Sequence, residues 1–195
     1  MMQKNNKMKN VPNILTMARI LTVPVLLVLL MVPFGSKAVY WIAAAGFVLS
    51  ASTDGLDGYI ARKYDAVSNF GKFIDPLADK LLVVSVLIWI TAELAVPWMT
   101  VIAVITVARE FIISGFRLVA VTDGGKVIAA GWPGKIKTVT QYIALTAYIL
   151  TKALPDASFI YWVFFCAIIL SAVFSVYSCA NYIWSNREVL KGDKA

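Results

Sequence analysis

The residues from Asp54 to Asp79 read DGLDGYIARKYDAVSNFGKFIDPLAD, and they place acidic side chains and glycines in a chain that is otherwise very apolar. Asp54 and Asp57 are three residues apart, and Asp75 and Asp79 are four apart. Residues at these spacings share one face of a helix. Because carboxylates next to a bilayer are costly unless a cation or another partner compensates them, the four aspartates indicate a functional site.

The composition is that of an integral membrane protein. Of the 195 residues, 60% are hydrophobic, and the mean hydropathy is +0.77, whereas soluble domains contain about 45–50% apolar residues. Several apolar runs approach the roughly 20 residues that a bilayer-spanning helix needs. We therefore expect an all-α integral membrane protein with six transmembrane helices, at residues 14–33, 38–53, 73–92, 97–119, 138–154 and 159–184. These helices would form a single membrane-embedded domain over residues 1–195, with a basic segment at 1–12 and a basic tail at 185–195.

The positive charges predict the orientation of these spans. With six spans both termini lie on one side of the membrane, and 16 of the 18 lysines and arginines fall on that side, leaving only Lys37 and Lys152 on the other. Because such charges accumulate on the cytoplasmic side, we expect a multi-pass protein of the cell membrane with both termini and all four aspartates at the cytoplasmic face. The net charge of +7 favours contact with anionic membrane lipids. No nucleic-acid partner is expected, since the basic residues follow the span ends.

Histidine is absent from the chain, which excludes His-based acid–base catalysis, His-containing zinc sites and Ser-His-Asp triads. Cys166 and Cys179 are 13 residues apart in one apolar run, so a continuous helix would separate them by about 20 Å and prevent a disulfide. Carboxylates must then carry any metal or proton chemistry. Converging carboxylates repel one another, and two Mg²⁺ or Mn²⁺ ions are the natural compensation in an all-oxygen site.

The longer motif is similar to a known signature. From Asp57 onward the sequence follows the pattern D-G-x-x-A-R-x8-G-x3-D-x3-D, which resembles the signature of the CDP-alcohol phosphotransferase family. Asp54 fits the D-x-x-D form found upstream in that family. Residues 12–19 (PNILTMAR) resemble the family's amino-terminal P-N-x-x-T-x-x-R element, so the likeness covers nearly the whole chain.

This resemblance implies roles for individual residues. Asp54, Asp57 and Asp75 would bind two Mg²⁺ or Mn²⁺ ions, with Asp79 close to the second ion, and Asp79 would also take the proton from the acceptor hydroxyl. The CDP-linked lipid would be displaced at its β-phosphate, with release of CMP. Its binding residues would be Asn13, Thr16, Arg19, Gly58, Ala61, Arg62, Ser68 and Gly71. The resemblance also implies a homodimer.

A second group of charges lies at the cytoplasmic ends of the fourth and fifth expected spans: Arg109, Arg117, Lys135 and Lys137. We interpret them as a basic pocket for an anionic acceptor, the alternative being ordinary flanking charge. Residues 107–110 (VARE) and 134–138 (GKIKT) resemble one branch of the family. That branch implies transfer of a phosphatidyl group from CDP-diacylglycerol to sn-glycerol 3-phosphate.

Two alternatives stay open from the sequence. The same chemistry could serve another acceptor, such as inositol phosphate, serine or phosphatidylglycerol. A cation-coupled transporter could also carry carboxylates in its membrane helices. Against a transporter, every aspartate of the motif lies near one edge of the expected spans.

Overall fold

The computed structural model describes residues 11–32, 36–63, 69–122 and 131–185. Within these ranges all regular secondary structure is α-helical, and six helices follow one another: α1 (Val11–Met31), α2 (Lys37–Lys63), α3 (Asn69–Leu94), α4 (Pro97–Thr122), α5 (Trp132–Ala153) and α6 (Ser158–Ser185). For residues 11–16, 53–63, 69–76, 79 and 117–122 the backbone is described and the side chains are not. The described residues confirm the predicted all-α fold and the six predicted helices.

Most of the helices extend past the apolar runs that predicted them. The second expected span ends at residue 53, whereas α2 continues to Lys63 and thereby includes Asp54 and Asp57. The fifth expected span begins at residue 138, whereas α5 begins at Trp132. Hydropathy marks only the part of a helix that suits lipid, while backbone hydrogen bonding continues through polar residues.

Two segments of the described chain are long and apolar enough to cross a membrane. They are Pro97–Phe116 and Ser158–Ser185, with mean hydropathies of 1.7 and 2.4, and only 28% and 33% of their most apolar windows are buried. Shorter apolar helices cover Met17–Met31 and Lys37–Ser52. Soluble proteins rarely expose contiguous apolar patches of this extent, so these outer faces suit a lipid environment. Cys166 and Cys179 are free thiols within the continuous α6, as predicted.

Hydroxyl side chains in the helices bond to their own backbone. Thr22, Ser52, Ser114 and Thr138 each donate to the carbonyl oxygen four residues earlier, at 2.8, 2.8, 2.6 and 3.0 Å. Such bonds satisfy a polar group without water. They therefore lower the cost of placing Ser and Thr in apolar surroundings.

A two-residue connection joins α3 to α4. Ala95 has a left-handed backbone (φ 50°), and its N–H donates to the carbonyl oxygen of Thr91 at 3.0 Å. This bond closes the last turn of α3. Pro97 is the first residue of α4. A backbone N–H at this position would have no acceptor within the helix, so proline costs no hydrogen bond there.

Packing divides the chain into two compact units: Met1–Ile90 with Leu145–Tyr161, and Thr91–Ala144 with Trp162–Ala195. In the first unit α1 packs against α2. The rings of Trp89 and Tyr148 meet edge to face in this unit, with centroids 5.6 Å apart.

In the second unit α4 and α6 run side by side. Trp98 and Phe165 meet edge to face at 5.7 Å, and Phe116 and Tyr182 do so at 6.3 Å. Because the residue numbers rise together along both helices, α4 and α6 are parallel. Polar side chains lie buried between these two aromatic contacts.

Candidate active site

The four aspartates of the motif lie on two consecutive helices of the first unit. Asp54 and Asp57 are near the end of α2, and Asp75 and Asp79 are near the start of α3. Asp57 precedes the end of α2 by six residues, and Asp75 follows the start of α3 by six, so each is about 9 Å from its helix end. Only residues 64–68 connect the helices, and a short connection favours antiparallel neighbours. In that arrangement the register places the two pairs of positions at the same level.

On α3 the aspartate positions continue a buried row. Leu82, Val86 and Ile90 are almost completely buried. Positions 79 and 75 precede Leu82 by three and seven residues, the spacing that keeps residues on one helix face. The backbone register therefore puts both positions on the inward face of α3.

On α2 the aspartate positions are likewise spaced in register with buried residues. Ala43 and Phe47 are fully buried, and positions 54 and 57 follow Phe47 by seven and ten residues. An ionised carboxylate on an inward face needs a cation or hydrogen-bond donors to offset its desolvation. By backbone register alone, the four positions are in line with the buried rows of α2 and α3, and the role of their carboxylates stays a prediction.

Several predicted site residues are placed only by their backbone. Besides the four aspartates, whose side chains lie outside the described set, these are Asn13, Thr16, Gly58, Ala61, Arg62, Gly71 and Arg117, whereas Ser68 lies outside the described residues altogether. Among the side chains that are described, no group of three or more Asp, Glu, Cys or His could hold a metal ion. The predicted metal site therefore stays a prediction. Its donor set of four carboxylates fits hard divalent cations.

Arg19 is described in full, and it is buried in α1. With Val23, Leu26 and Leu30 it forms the buried row of this helix, and position 16 precedes it by one turn. A buried guanidinium needs anionic or hydrogen-bonding partners. This placement is compatible with the predicted contact to a diphosphate.

In the second unit two of the four predicted acceptor residues meet at one carboxylate. Oε1 of Glu110 accepts from Nη1 of Arg109 at 2.8 Å and from Nζ of Lys137 at 2.6 Å. Arg109 also donates through Nε and Nη2 to Oγ of Ser178, at 3.3 and 3.2 Å. Arg109 and Lys137 are only 9% and 3% exposed. We call Arg109, Glu110, Lys137 and Ser178 the Glu110 cluster.

Lys135 lies apart from the Glu110 cluster. Its side chain is exposed, and its Nζ is 5.4 Å from the ring centroid of Trp132. Residues two apart point to different sides of a helix, so Lys135 and Lys137 do not share a face of α5. Position 117 on α4 follows Arg109 by two turns and continues the row of the buried Ile113.

Sequence reasoning does not find Glu110 and Ser178 as members of this cluster. Glu110 is visible as an acidic neighbour of Arg109, but its bond to Lys137 joins residues 27 apart. The signal for Ser178 is the spacing of Ser171, Ser175 and Ser178, which places three buried hydroxyls on one face of α6.

A family model matches most of the chain. The model described as CDP-alcohol phosphatidyltransferase matches residues 9–177, a range that contains the aspartate motif and the Glu110 cluster except for Ser178. The chain belongs to the CDP-alcohol phosphatidyltransferase family, whose members are membrane proteins. This confirms the family predicted from the signature.

Members of this family from several bacteria are similar to the chain over nearly its full length. A protein of Bacillus subtilis (strain 168) is 38% identical, aligned over 94% of this chain and 98% of its own length. A protein of Salmonella typhimurium is 34% identical over 91% and 95%, and one of Pseudomonas fluorescens is 32% identical over 93% and 89%. All three are named CDP-diacylglycerol–glycerol-3-phosphate 3-phosphatidyltransferase.

Proposed function

We propose that this chain transfers the phosphatidyl group of CDP-diacylglycerol to sn-glycerol 3-phosphate, giving phosphatidylglycerophosphate and CMP in phospholipid biosynthesis. The observation that carries the proposal is the complete aspartate motif, carried by α2 and α3 in a chain of this family. The names of the three relatives give the same donor and acceptor. The activity thus agrees with the branch that the sequence predicts.

Asp54, Asp57, Asp75 and Asp79 are the residues that would hold two Mg²⁺ or Mn²⁺ ions. When bound, such ions neutralise the carboxylates and the diphosphate, so that CMP becomes a better leaving group. Carboxylates alone are suitable ligands, because both metals prefer oxygen donors.

The chain's own residues orient the donor and move the proton. Arg19 and Arg62 would bind phosphate oxygens. Asn13, Thr16 and Ser68 would offer polar contacts, while Gly58, Ala61 and Gly71 would let the nucleotide approach the backbone. Asp79 would accept the hydroxyl proton of the acceptor as its oxygen attacks the β-phosphorus, which is general-base catalysis.

The acceptor's phosphate would bind to the basic residues of the second unit. Arg109 and Lys137 in the Glu110 cluster are the main candidates, because both are buried cations that Oε1 of Glu110 brings together. Arg117 and Lys135 are the further cations of the proposed pocket. Inositol or an amino alcohol would not need this much positive charge.

We also propose that all six helices span the cell membrane, that both termini are cytoplasmic and that the protein forms a homodimer. Trp162 and Trp184, 64% and 72% exposed, lie near the two ends of α6. They are separated by about 33 Å along the helix, close to the roughly 30 Å of a hydrocarbon core. Exposed tryptophans at this spacing fit the two aromatic belts of a spanning helix.

An acceptor panel tests the activity. The purified full-length protein, in detergent micelles with CDP-diacylglycerol and either Mg²⁺ or Mn²⁺, is offered glycerol 3-phosphate, inositol phosphate, serine or phosphatidylglycerol. We expect CMP release with glycerol 3-phosphate, and none in excess EDTA. If another acceptor gives CMP and glycerol 3-phosphate does not, the proposed acceptor is wrong; if turnover persists in EDTA, the proposed ions are wrong.

Replacement of the proposed base gives a second test. Asp79→Asn should lower CMP release by at least about 100-fold, since general-base catalysis contributes on the order of 10² to 10⁴. Asp156→Asn is the matched control, because it makes the same chemical change in the exposed turn between α5 and α6. Thermal unfolding of both variants shows whether the fold is retained. A folded Asp79→Asn protein with wild-type turnover would contradict the assignment.

A further inference from the structure

One oxygen atom holds two buried cations that come from different helices. Glu110 Oε1 bonds both Nη1 of Arg109 on α4 and Nζ of Lys137 on α5. The two nitrogens are therefore no farther apart than the sum of two hydrogen bonds. Charge-assisted bonds of 2.6–2.8 Å are strong and directional. A single phosphate group can contact two cations at such a separation.

Ser178 fixes the other edge of the Arg109 guanidinium. Its hydroxyl accepts from Nε and Nη2 of Arg109, and it donates its own hydrogen to the carbonyl oxygen of Ser175 at 3.2 Å. These bonds and the one to Glu110 use three of the five N–H groups of arginine. The other two, one on each terminal nitrogen, make no hydrogen bond within the part of the chain that the structure describes. The guanidinium is thus held in place with donors left for a ligand.

The ammonium group of Lys137 is less restricted in position than the planar guanidinium of Arg109. A lysine ammonium is a point charge on a flexible four-carbon stem. Two unshielded cations at this distance would also repel each other. The bond to Glu110 therefore helps to keep Lys137 beside Arg109.

We propose that Glu110 is a positioning residue, whose carboxylate holds Arg109 and Lys137 in the arrangement that the phosphate of glycerol 3-phosphate requires. This inference rests on the proposed function. The proposal predicts a different effect on anion affinity than net charge alone would predict. Removing a negative charge beside an anion site should strengthen anion binding if net charge decides the affinity, whereas it should weaken binding if placement decides.

Steady-state kinetics of Glu110→Gln separates these two outcomes, because glutamine keeps the shape of glutamate and loses its charge. We expect the KM for glycerol 3-phosphate to rise about tenfold or more, as for the loss of hydrogen bonds to charged groups. The KM for CDP-diacylglycerol should stay within about twofold, as expected for a change confined to acceptor binding. Glu110→Asp restores the charge on a side chain that is one methylene shorter, so it should recover only part of the lost affinity if placement decides.

A pair of serine variants provides an independent test that leaves Glu110 in place. Ser178→Ala removes the acceptor of two Arg109 bonds and should raise the KM for glycerol 3-phosphate. Ser175→Ala is its matched control, one turn away on the same helix. The Ser175 hydroxyl is buried and makes no hydrogen bond with the described residues, so this change should leave the KM unaltered. If Glu110→Gln does not fold, the serine pair decides the question.

Two results would overturn the proposal. One is a folded Glu110→Gln protein whose KM for glycerol 3-phosphate is unchanged or lower. The other is a parallel loss of kcat and of affinity for both substrates that follows the loss of thermal stability, which would indicate a purely structural role. Failure of the proposed function is distinct from both, because the wild-type protein itself would then give no CMP with glycerol 3-phosphate.

Discussion

Gln141 lies one turn after Lys137 on α5, and its amide nitrogen is buried without a hydrogen-bond partner among the described residues. The side chain is 3% exposed, and Nε2 makes no hydrogen bond with the described residues. A buried donor without a partner costs about 1–3 kcal/mol. In contrast, Thr140 beside it donates to the backbone carbonyl oxygens of Ile136 and Lys137 at 2.8 and 3.0 Å. The two neighbours therefore differ in whether their polar groups contribute to stability.

Apolar replacements of these two residues should have opposite effects. Gln141→Met keeps much of the volume and removes the unpaired amide, so we expect the free energy of unfolding to rise by about 1 kcal/mol. Thr140→Val removes a satisfied hydroxyl and should lower it by about 0.5–1.5 kcal/mol. Thermal or denaturant unfolding of both variants in detergent measures the difference. A loss of stability in Gln141→Met would show that the amide has a partner, such as a buried water molecule.

For single residues, the sequence predicts which side chains belong to the site better than it predicts which residues they bond. Arg109 and Lys137 can be selected from the sequence because cations in or beside apolar runs are unusual. Whether Lys135 or Lys137 points inward depends on the rotation of α5, and hydropathy does not define that rotation. The bond from Glu110 to Lys137 requires the packing of α4 against α5, which no local pattern encodes.

Among the elements, the junction of α3 and α4 carries a local strain. Ala95 has φ 50°, a conformation that costs a residue with a Cβ roughly 1–2 kcal/mol. Ala95→Gly should therefore raise the free energy of unfolding by up to about 1 kcal/mol, after the larger entropy of glycine in the unfolded chain is subtracted.

Ala92→Gly is the matched control for that change. It lies three residues earlier within α3 and is exposed, so the same substitution should cost about 1 kcal/mol. Unfolding transitions of the two variants should shift in opposite directions. A shift of both in the same direction would mean that the left-handed Ala95 is not strained in the folded protein.

The number of helices is predictable from the sequence, but their ends are not. Six apolar runs predict six helices, because each run exceeds what a loop would tolerate. The last ten residues of α2, from Asp54 to Lys63, include four charged residues and two glycines, so hydropathy alone excludes them from the apolar run. Pro97 in the sequence predicts the start of α4. The left-handed backbone of Ala95 cannot be predicted, since glycine or asparagine usually occupies such a position.

For the whole molecule, the orientation in the membrane is the proposal most directly open to test. In a variant whose Cys166 and Cys179 are replaced by Ala, single cysteines are introduced as Asp156→Cys or Ser185→Cys, before and at the end of α6. A membrane-impermeant maleimide should label the first in intact cells and the second only after permeabilisation. Labelling of Ser185→Cys in intact cells would reverse the proposed orientation.

The family is predictable from the whole sequence because its signature constrains many positions at once. A match from Asp54 to Asp79 with glycines and Arg62 in register requires two helices with a short connection, and the described α2 and α3 provide them. The buried rows of α2 (Ala43 and Phe47) and α3 (Leu82, Val86 and Ile90) could not be predicted in the same way. They depend on which side of each helix the rest of the chain covers.

The bond between Arg109 and Glu110 has a consequence for biosynthesis, because the two residues are consecutive. An arginine alone in the middle of an apolar helix costs about 2.5 to 3.5 kcal/mol during insertion. Here the counterion is translated immediately after the cation, so the apolar segment Pro97–Phe116 of α4 carries no net charge. Lys137 is synthesised 27 residues later, when a carboxylate is already present to receive it. For Arg109 and Lys137, the order of synthesis thus provides the carboxylate of Glu110 next to the first cation and before the second.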